Sequence, residues 1–287
     1  FDPDTGSLSV RNFREGDEKP SILASNIARV LDGQHRIAGL MGFKGDVFDL
    51  SVTIFIGADL SDQAQIFATV NLDQTKVSKS LVYDLYSLSK SRSPQKTCHN
   101  IAVALDDDSN SPLYKRIKRL GIGTVDRVFE PITQATFVEA LMPMISLDPK
   151  GDRDILIRGG KIEKIYGDQL YKIPLRNLFA DGHDVKIAEI VMNYFSAVRD
   201  RWPEAWEERG RGAVLNRTNG FRALMRFFRK AYLNVAAPGD VVGKQRFHDR
   251  CFANIGITDQ QFAVENFPPG TSGEARLFRV LTGEETL

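Results

Sequence analysis

Two apolar stripes at helical spacing constrain this chain more than any other feature. In residues 185–202, Ile187, Ile190, Val191, Tyr194, Phe195 and Val198 recur three and four apart and share one face of a helix. In residues 218–233, Phe221, Leu224, Met225, Phe228 and Tyr232 do the same. A helix with such a stripe must bury it against another element, so the second half of the chain is expected to be mostly helical. A further helix is expected over 134–145, with Pro143 near its end.

The first half reads differently. Residues 1–20 are polar and irregular, residues 21–31 suggest a strand, and 48–56 carry apolar side chains at every second position, which is strand periodicity. Ser61 is an N-cap candidate for a helix over 62–71, a polar run follows to residue 80, and Val77, Leu81, Leu85 and Leu88 mark the next helix. The basic stretch 89–96 and the acidic stretch 105–112 read as loops, and 155–166 reads as a hairpin about Gly159 and Gly160. The expected fold class is therefore α/β of the α+β kind, with a first domain over 1–90 and a mostly helical domain over 91–287. The chain begins at Phe1, so it reads as a fragment or a trimmed chain whose upstream element is missing.

Charge and cysteine content narrow the function classes. With a net charge of +1, the 287-residue chain is no polycation, so any nucleic-acid surface must come from local clustering. The two cysteines, Cys98 and Cys251, show no ligand spacing and suggest a reducing, cytoplasmic setting without disulfide or zinc. No apolar run approaches the ~18 residues of a membrane span. There is no helical His-Glu-x-x-His, paired-cysteine motif or nucleophile-elbow serine, so serine, cysteine and zinc hydrolases are unsupported.

The chemistry-bearing stretch is Asp32-Gly33-Gln34-His35-Arg36, followed by Ile37, Leu40 and Met41 at helical spacing. It stands where an extended segment turns into a helix, and a helix start presents free N–H groups to an anion. Gly33 admits a phosphate close to the backbone, Arg36 offers a planar fork, and His35 can donate. Asp32 is the awkward member: beside a phosphate it would cost roughly 4 kcal/mol at ~4 Å and an effective dielectric near 20. A Mg²⁺ between them, or Arg36, would relieve that repulsion. Gln34 can orient an attacking water. Taken alone, Asp32 suits a helix N-cap and His35 a structural hydrogen bond.

The stretch "VLDGQHRIAGL" resembles the signature of DGQHR-domain proteins, the group that includes DndB-like proteins of bacterial DNA phosphorothioation systems. The order of elements over 21–85 also resembles the ParB N-terminal domain and sulfiredoxin, and "RTNGFRALMRFFRKAY" is similar to a distal helix of DGQHR proteins. The resemblance implies a small mixed sheet of ParB/sulfiredoxin type that binds ATP or CTP. It makes Gly33, Gln34, His35 and Arg36 the phosphate cradle and sets Asn71 near the phosphates. Gln74 stands where ParB carries an arginine, with Lys76 as a substitute at a different spacing. Asp32 and Asn71 would share a Mg²⁺, and Asp32, Gln34 and His35 would be the catalytic candidates. Gln34 stands where sulfiredoxin has its thiol, so sulfinic-acid repair has no nucleophile here.

Arg217, Arg222, Arg226, Arg229 and Lys230 give five cations and no acid between 217 and 230. Opposite an apolar face, such a row suits DNA phosphates. The plainer reading is a solvated face paired with acids such as Glu204, Glu207 and Glu208. Trp202 and Trp206 suit core or interface packing better than base stacking. These observations converge on a nucleoside-triphosphate-binding, Mg²⁺-dependent, NTPase-like protein that works with DNA in a prokaryotic modification or defence system, with room for a homo-oligomer. The alternative is a non-enzymatic DNA-binding regulator whose DGQHR turn is structural or an anion site. A ParB-like nuclease ranks last, because only Asp32 stands out as a metal-binding acid.

Overall fold

The computed structural model describes residues 21–58 and 78–287, with the single positions 5, 9, 10, 12, 18, 62, 63, 66, 67 and 70. Its contacts divide the chain into two units: residues 1–58 with 62–75, and residues 59–61 with 76–287. The mixed α+β class holds, with helices dominating and one small sheet.

The second unit is built on the two amphipathic helices. Helix α8 (Asp184–Arg201) buries Ile187, Ile190, Val191, Tyr194, Phe195 and Val198 completely. Helix α10 (Thr218–Val235) buries Phe221, Leu224, Phe228 and Tyr232 against it. The rings interlock: Phe195 stacks on Phe221 at 5.3 Å and 6°, Tyr194 meets Phe228 at 4.8 Å, and Phe137 of α4 (Gln134–Leu141) stacks on Phe221 at 5.8 Å. Each large ring removed from water contributes about 1.5–3 kcal/mol. Burial leaves polar tips needing partners, and they have them: the Tyr194 hydroxyl donates to Leu224 O at 2.7 Å, and Trp202 Nε1 to Ile257 O at 2.9 Å. Trp202 and Trp206 are thus core residues.

The flanking elements carry helix-start chemistry. Ser78 caps α2 (Lys79–Leu85), Ser93 caps α3 (Pro94–Asp107) with Pro94 in the first turn, and Asp148 caps α5 (Pro149–Ile157). Helices α6 (Asp168–Lys172), α7 (Arg176–Ala180), α9 (Pro203–Glu207), α11 (Lys244–Phe247) and α12 (Thr271–Thr282) complete the unit. Its sheet is a parallel pair, β1 (Ile117–Lys118) and β2 (Ile132–Thr133), in register Ile117 to Ile132. Fully buried Asp106 holds β1 in place: it accepts from Ile117 N at 2.9 Å and from Arg127 Nη1 at 2.6 Å.

Several expectations are corrected. Residues 21–31 form no strand; a 3₁₀ turn occupies Ala24–Asn26. Residues 48–56 form none either, because an alternating run needs a neighbouring strand to take its ladder bonds. The stretch 89–96 is a loop only as far as Ser93, and it is anchored: Arg92 forms a two-pronged pair with Asp184 and lies 4.2 Å from the Phe179 ring centroid, while Pro94 opens α3. The acidic run starts inside α3 rather than in a loop. No hairpin forms over 155–166: residues 155–157 end α5, Gly159 turns with a left-handed φ of 75°, and 160–166 carries no strand. Ser61 and Val77 lie outside the described residues.

Candidate functional site

The DGQHR stretch does stand at a helix start. Gly33 takes a left-handed conformation, φ 90° and ψ 10°, immediately before α1 (Gln34–Leu40). Only glycine adopts that φ without steric cost, so the residue type follows from the turn itself. Asp32 does not cap the free N–H groups; its Oδ2 accepts from Arg36 Nη2 at 3.0 Å, four residues on. The Arg36 guanidinium crosses Gly33, with its atoms 3.6–3.8 Å from where a Cβ would stand. Gln34 Nε2 donates to Val30 O at 3.2 Å, and His35 is exposed. The stretch therefore brings Asp32, Gly33 and Arg36 together in a closed loop, and α1 buries no residue.

Asn71, Gln74 and Lys76 lie outside the described residues, so the other half of the expected nucleotide site is not placed. Among the described residues, no group of three or more His, Cys, Asp or Glu side chains is arranged to hold a metal. The pair that Asp32 forms with Arg36 is exposed and engages Oδ2.

Helix α10 presents charge in a different way. Its exposed positions are Arg222, Arg226, Arg229, Lys230 and Asn234, one stripe at spacings of four, three, one and four. The four cations line a groove of about 640 Å³ between α10, α4 and α12, with Glu139 and Glu274 on its other walls. Arg226 pairs with Glu274 at 3.2 Å and packs 4.5 Å from the Phe278 centroid, while Glu139 pairs with Lys79 at 2.7 Å. Arg222, Arg229 and Lys230 have no acidic partner among the described residues. The acids of the plainer reading are engaged elsewhere: Glu204 by Gln260, Glu207 by Arg116 and Glu208 by Gly210 N. Arg217 is set apart from the stripe, since it donates to Arg209 O at 2.9 Å and Gly210 O at 3.2 Å.

No family model, curated protein or solved structure matches the chain.

The remaining reactive side chains are accounted for by packing. Burial raises the Cys98 thiol well above its ordinary pKa, and burial also raises Cys251 against an opposing hydrogen bond from Asn234, so neither is an activated nucleophile. His99 is buried; its Nδ1 stands 2.9 Å from Gln134 Nε2, which also faces Ser80 O at 3.3 Å. With that amide donating, Nδ1 accepts and the imidazole is neutral. Burial lowers its pKa, with Asp84 opposing. Around Phe129, sequence reasoning missed a gathering of guanidinium groups: Arg116, Arg209 and Arg217 lie 5.7, 5.7 and 4.8 Å from its centroid. Burial lowers the Arg116 pKa, Glu207 supports the charge, and Arg209 and Arg199 press against it.

Proposed function

We propose that the protein binds nucleic-acid phosphates through the α10 stripe. The observation that carries this reading is that Arg222, Arg229 and Lys230 are exposed, aligned and without acidic partners among the described residues, on a helix whose other face is core. Cations held apart from carboxylates keep their attraction for a polyanion, and the contribution falls with salt as counterions compete. The test is fluorescence anisotropy with duplex DNA across a salt series. Arg222→Ala combined with Arg229→Ala should weaken binding and lower the log–log salt slope by about 2, near 0.9 per lost phosphate contact. An unchanged affinity and slope would remove this surface from the reading.

A second reading follows from Arg36 lying across Gly33: the DGQHR turn grips a nucleoside triphosphate, ATP or CTP, as the resemblance to DGQHR and ParB-like domains implies. For this, Arg36 must exchange Asp32 for a phosphate. Titration with ATP and CTP, with and without Mg²⁺, tests it, with Arg36→Ala expected to abolish binding. Retained binding in that variant would leave the turn as a structural device. No hydrolytic step is assigned, because Asn71, the expected partner of Asp32 on Mg²⁺, lies outside the described residues. A cytoplasmic prokaryotic DNA-modification or defence setting is part of the proposal and rests on the DGQHR resemblance, as does association into a homo-oligomer. No described helix is long and apolar enough to cross a membrane.

A further inference from the structure

The strongest unassigned feature is the pocket beside Phe129, a cavity of about 420 Å³ remote in sequence from the DGQHR stretch. Lys115, Arg116, Arg127, Arg199 and Arg209 line it, opposed by Asp126 and Glu207 alone among the lining acids. Two of these cations are already committed. Arg116 pairs with Glu207 and donates to Trp206 O at 2.9 Å, and Arg127 is held by Asp106 and Glu130. Arg199 and Arg209 have no acidic partner among the described residues, and Lys115 Nζ rests 5.0 Å from the Tyr114 centroid. Like charges gathered this closely repel unless an anion is shared between them. Internal pairing leaves this cluster under-neutralised.

The backbone supplies an independent observation. Lys115, at φ 55°, and Asp126, at φ 71°, are the non-glycine residues with positive φ among those described, and both line this pocket. Left-handed non-glycine residues cost free energy and concentrate where a binding site over-determines the chain. At Lys115 the conformation is held by a bond from its N–H to Asp106 O at 2.9 Å, so the same buried acid that anchors β1 also sets the pocket rim.

We propose that this pocket binds a phosphate-bearing small molecule of about nucleotide size. Arg199 and Arg209 act as the free guanidinium forks for its phosphate oxygens, and Arg116 forms the pre-oriented floor. The Tyr114 and Phe129 rings provide apolar surface for the rest of the ligand, and the volume lies in the range of small-molecule sites. The pocket shares no lining residue with the α10 stripe or the DGQHR turn, and does not depend on either being functional.

Isothermal titration calorimetry on the full chain with pyrophosphate and with ADP tests the assignment. Wild type should bind at least one probe saturably. Arg199→Ala combined with Arg209→Ala should weaken it by about tenfold or more, as loss of charge-assisted hydrogen bonds implies. Neither side chain belongs to an ion pair among the described residues, and Arg209 has the Phe129 ring as its neighbour at 5.7 Å, so the variant should melt within a few degrees of wild type. Arg222→Ala with Arg229→Ala should leave affinity for the probes unchanged. No saturable binding by wild type, or equal loss in the α10 variant, would overturn the proposal. Displacement of pyrophosphate by a 5′-phosphorylated oligonucleotide, but not by ADP, would overturn the small-molecule assignment. Displacement by ADP alone supports it.

Discussion

Helices α1 and α10 both carry arginine at the place where the sequence suggests phosphate binding, yet the structure treats that charge in opposite ways. In α10, ten residues are buried and the arginines have nowhere to go but one solvent stripe. The neighbouring sequence offers no acid between 217 and 230 to claim them. In α1, no residue is buried, and Asp32 lies four positions before Arg36, within reach of an i,i+4 pair. A cation is available to a ligand when neither its own helix nor a packed neighbour supplies an acid; Arg226, claimed by Glu274 of α12, is the member of the stripe that fails the second condition. Core anchoring and charge availability go together here, because the core fixes which face the cations occupy.

The contrast between the units is open to direct test. Phe221→Ala in α10 should cost about 3–5 kcal/mol, read by urea denaturation, because it removes the ring on which Phe137 and Phe195 stack. Ile54→Ala in the first unit, where the side chain is 59% exposed, should cost under about 0.5 kcal/mol. Comparable losses would mean that the first unit has a core of its own. On the functional side, the Arg222→Ala and Arg229→Ala pair should reduce duplex-DNA affinity about tenfold at low salt, with anisotropy as the readout.

A smaller effect concerns pH. The folded-state pKa of His99 is lowered by burial, so the unfolded chain binds the proton more readily. The stabilising contribution is fully present above the ordinary histidine value and declines as pH falls through it. Urea midpoints should drop between pH 7.5 and 5.5, and His99→Gln should flatten that drop; an unaltered profile would clear His99 of the role. Smallest of all, Asp32→Ala should change stability by only about 0.3–0.5 kcal/mol, as expected for an exposed i,i+4 pair. It should nonetheless free Arg36, and tighter ATP binding in that variant would bring α1 closer to α10 in behaviour.

Periodicity made α8 and α10 legible because the stripe of a long helix specifies its own buried face. The same reasoning failed for 48–56, where alternation describes a strand only if another strand lies beside it, and none does among the described residues. The acidic run over 106–108 shows a different limit: Asp106 is buried under Arg127 and Ile117 N, Asp107 pairs with Arg119, and Asp108 accepts from Asn110 N. Three identical letters have three environments, set by partners up to 21 positions away. The pocket at Phe129 was invisible for the same reason, since its cations come from separate stretches at 115–116, 127, 199 and 209. At the DGQHR turn the helix start is legible from Ile37, Leu40 and Met41 at helical spacing, whereas the missing strand before it and the left-handed φ of Gly33 depend on how the turn closes.

Gly220 sits at the first turn of α10, where a Cβ would meet Leu215 O at 2.3 Å and Val214 O at 2.4 Å. The preceding chain folds back against the helix so closely that the point of entry is fixed to the residue. The buried face of α10 fixes its rotation, so a larger side chain at Gly220 would push the 214–215 backbone outward and leave the helix in place. Gly220 is therefore a seam, the point where the chain closes onto its own helix with no side chain between.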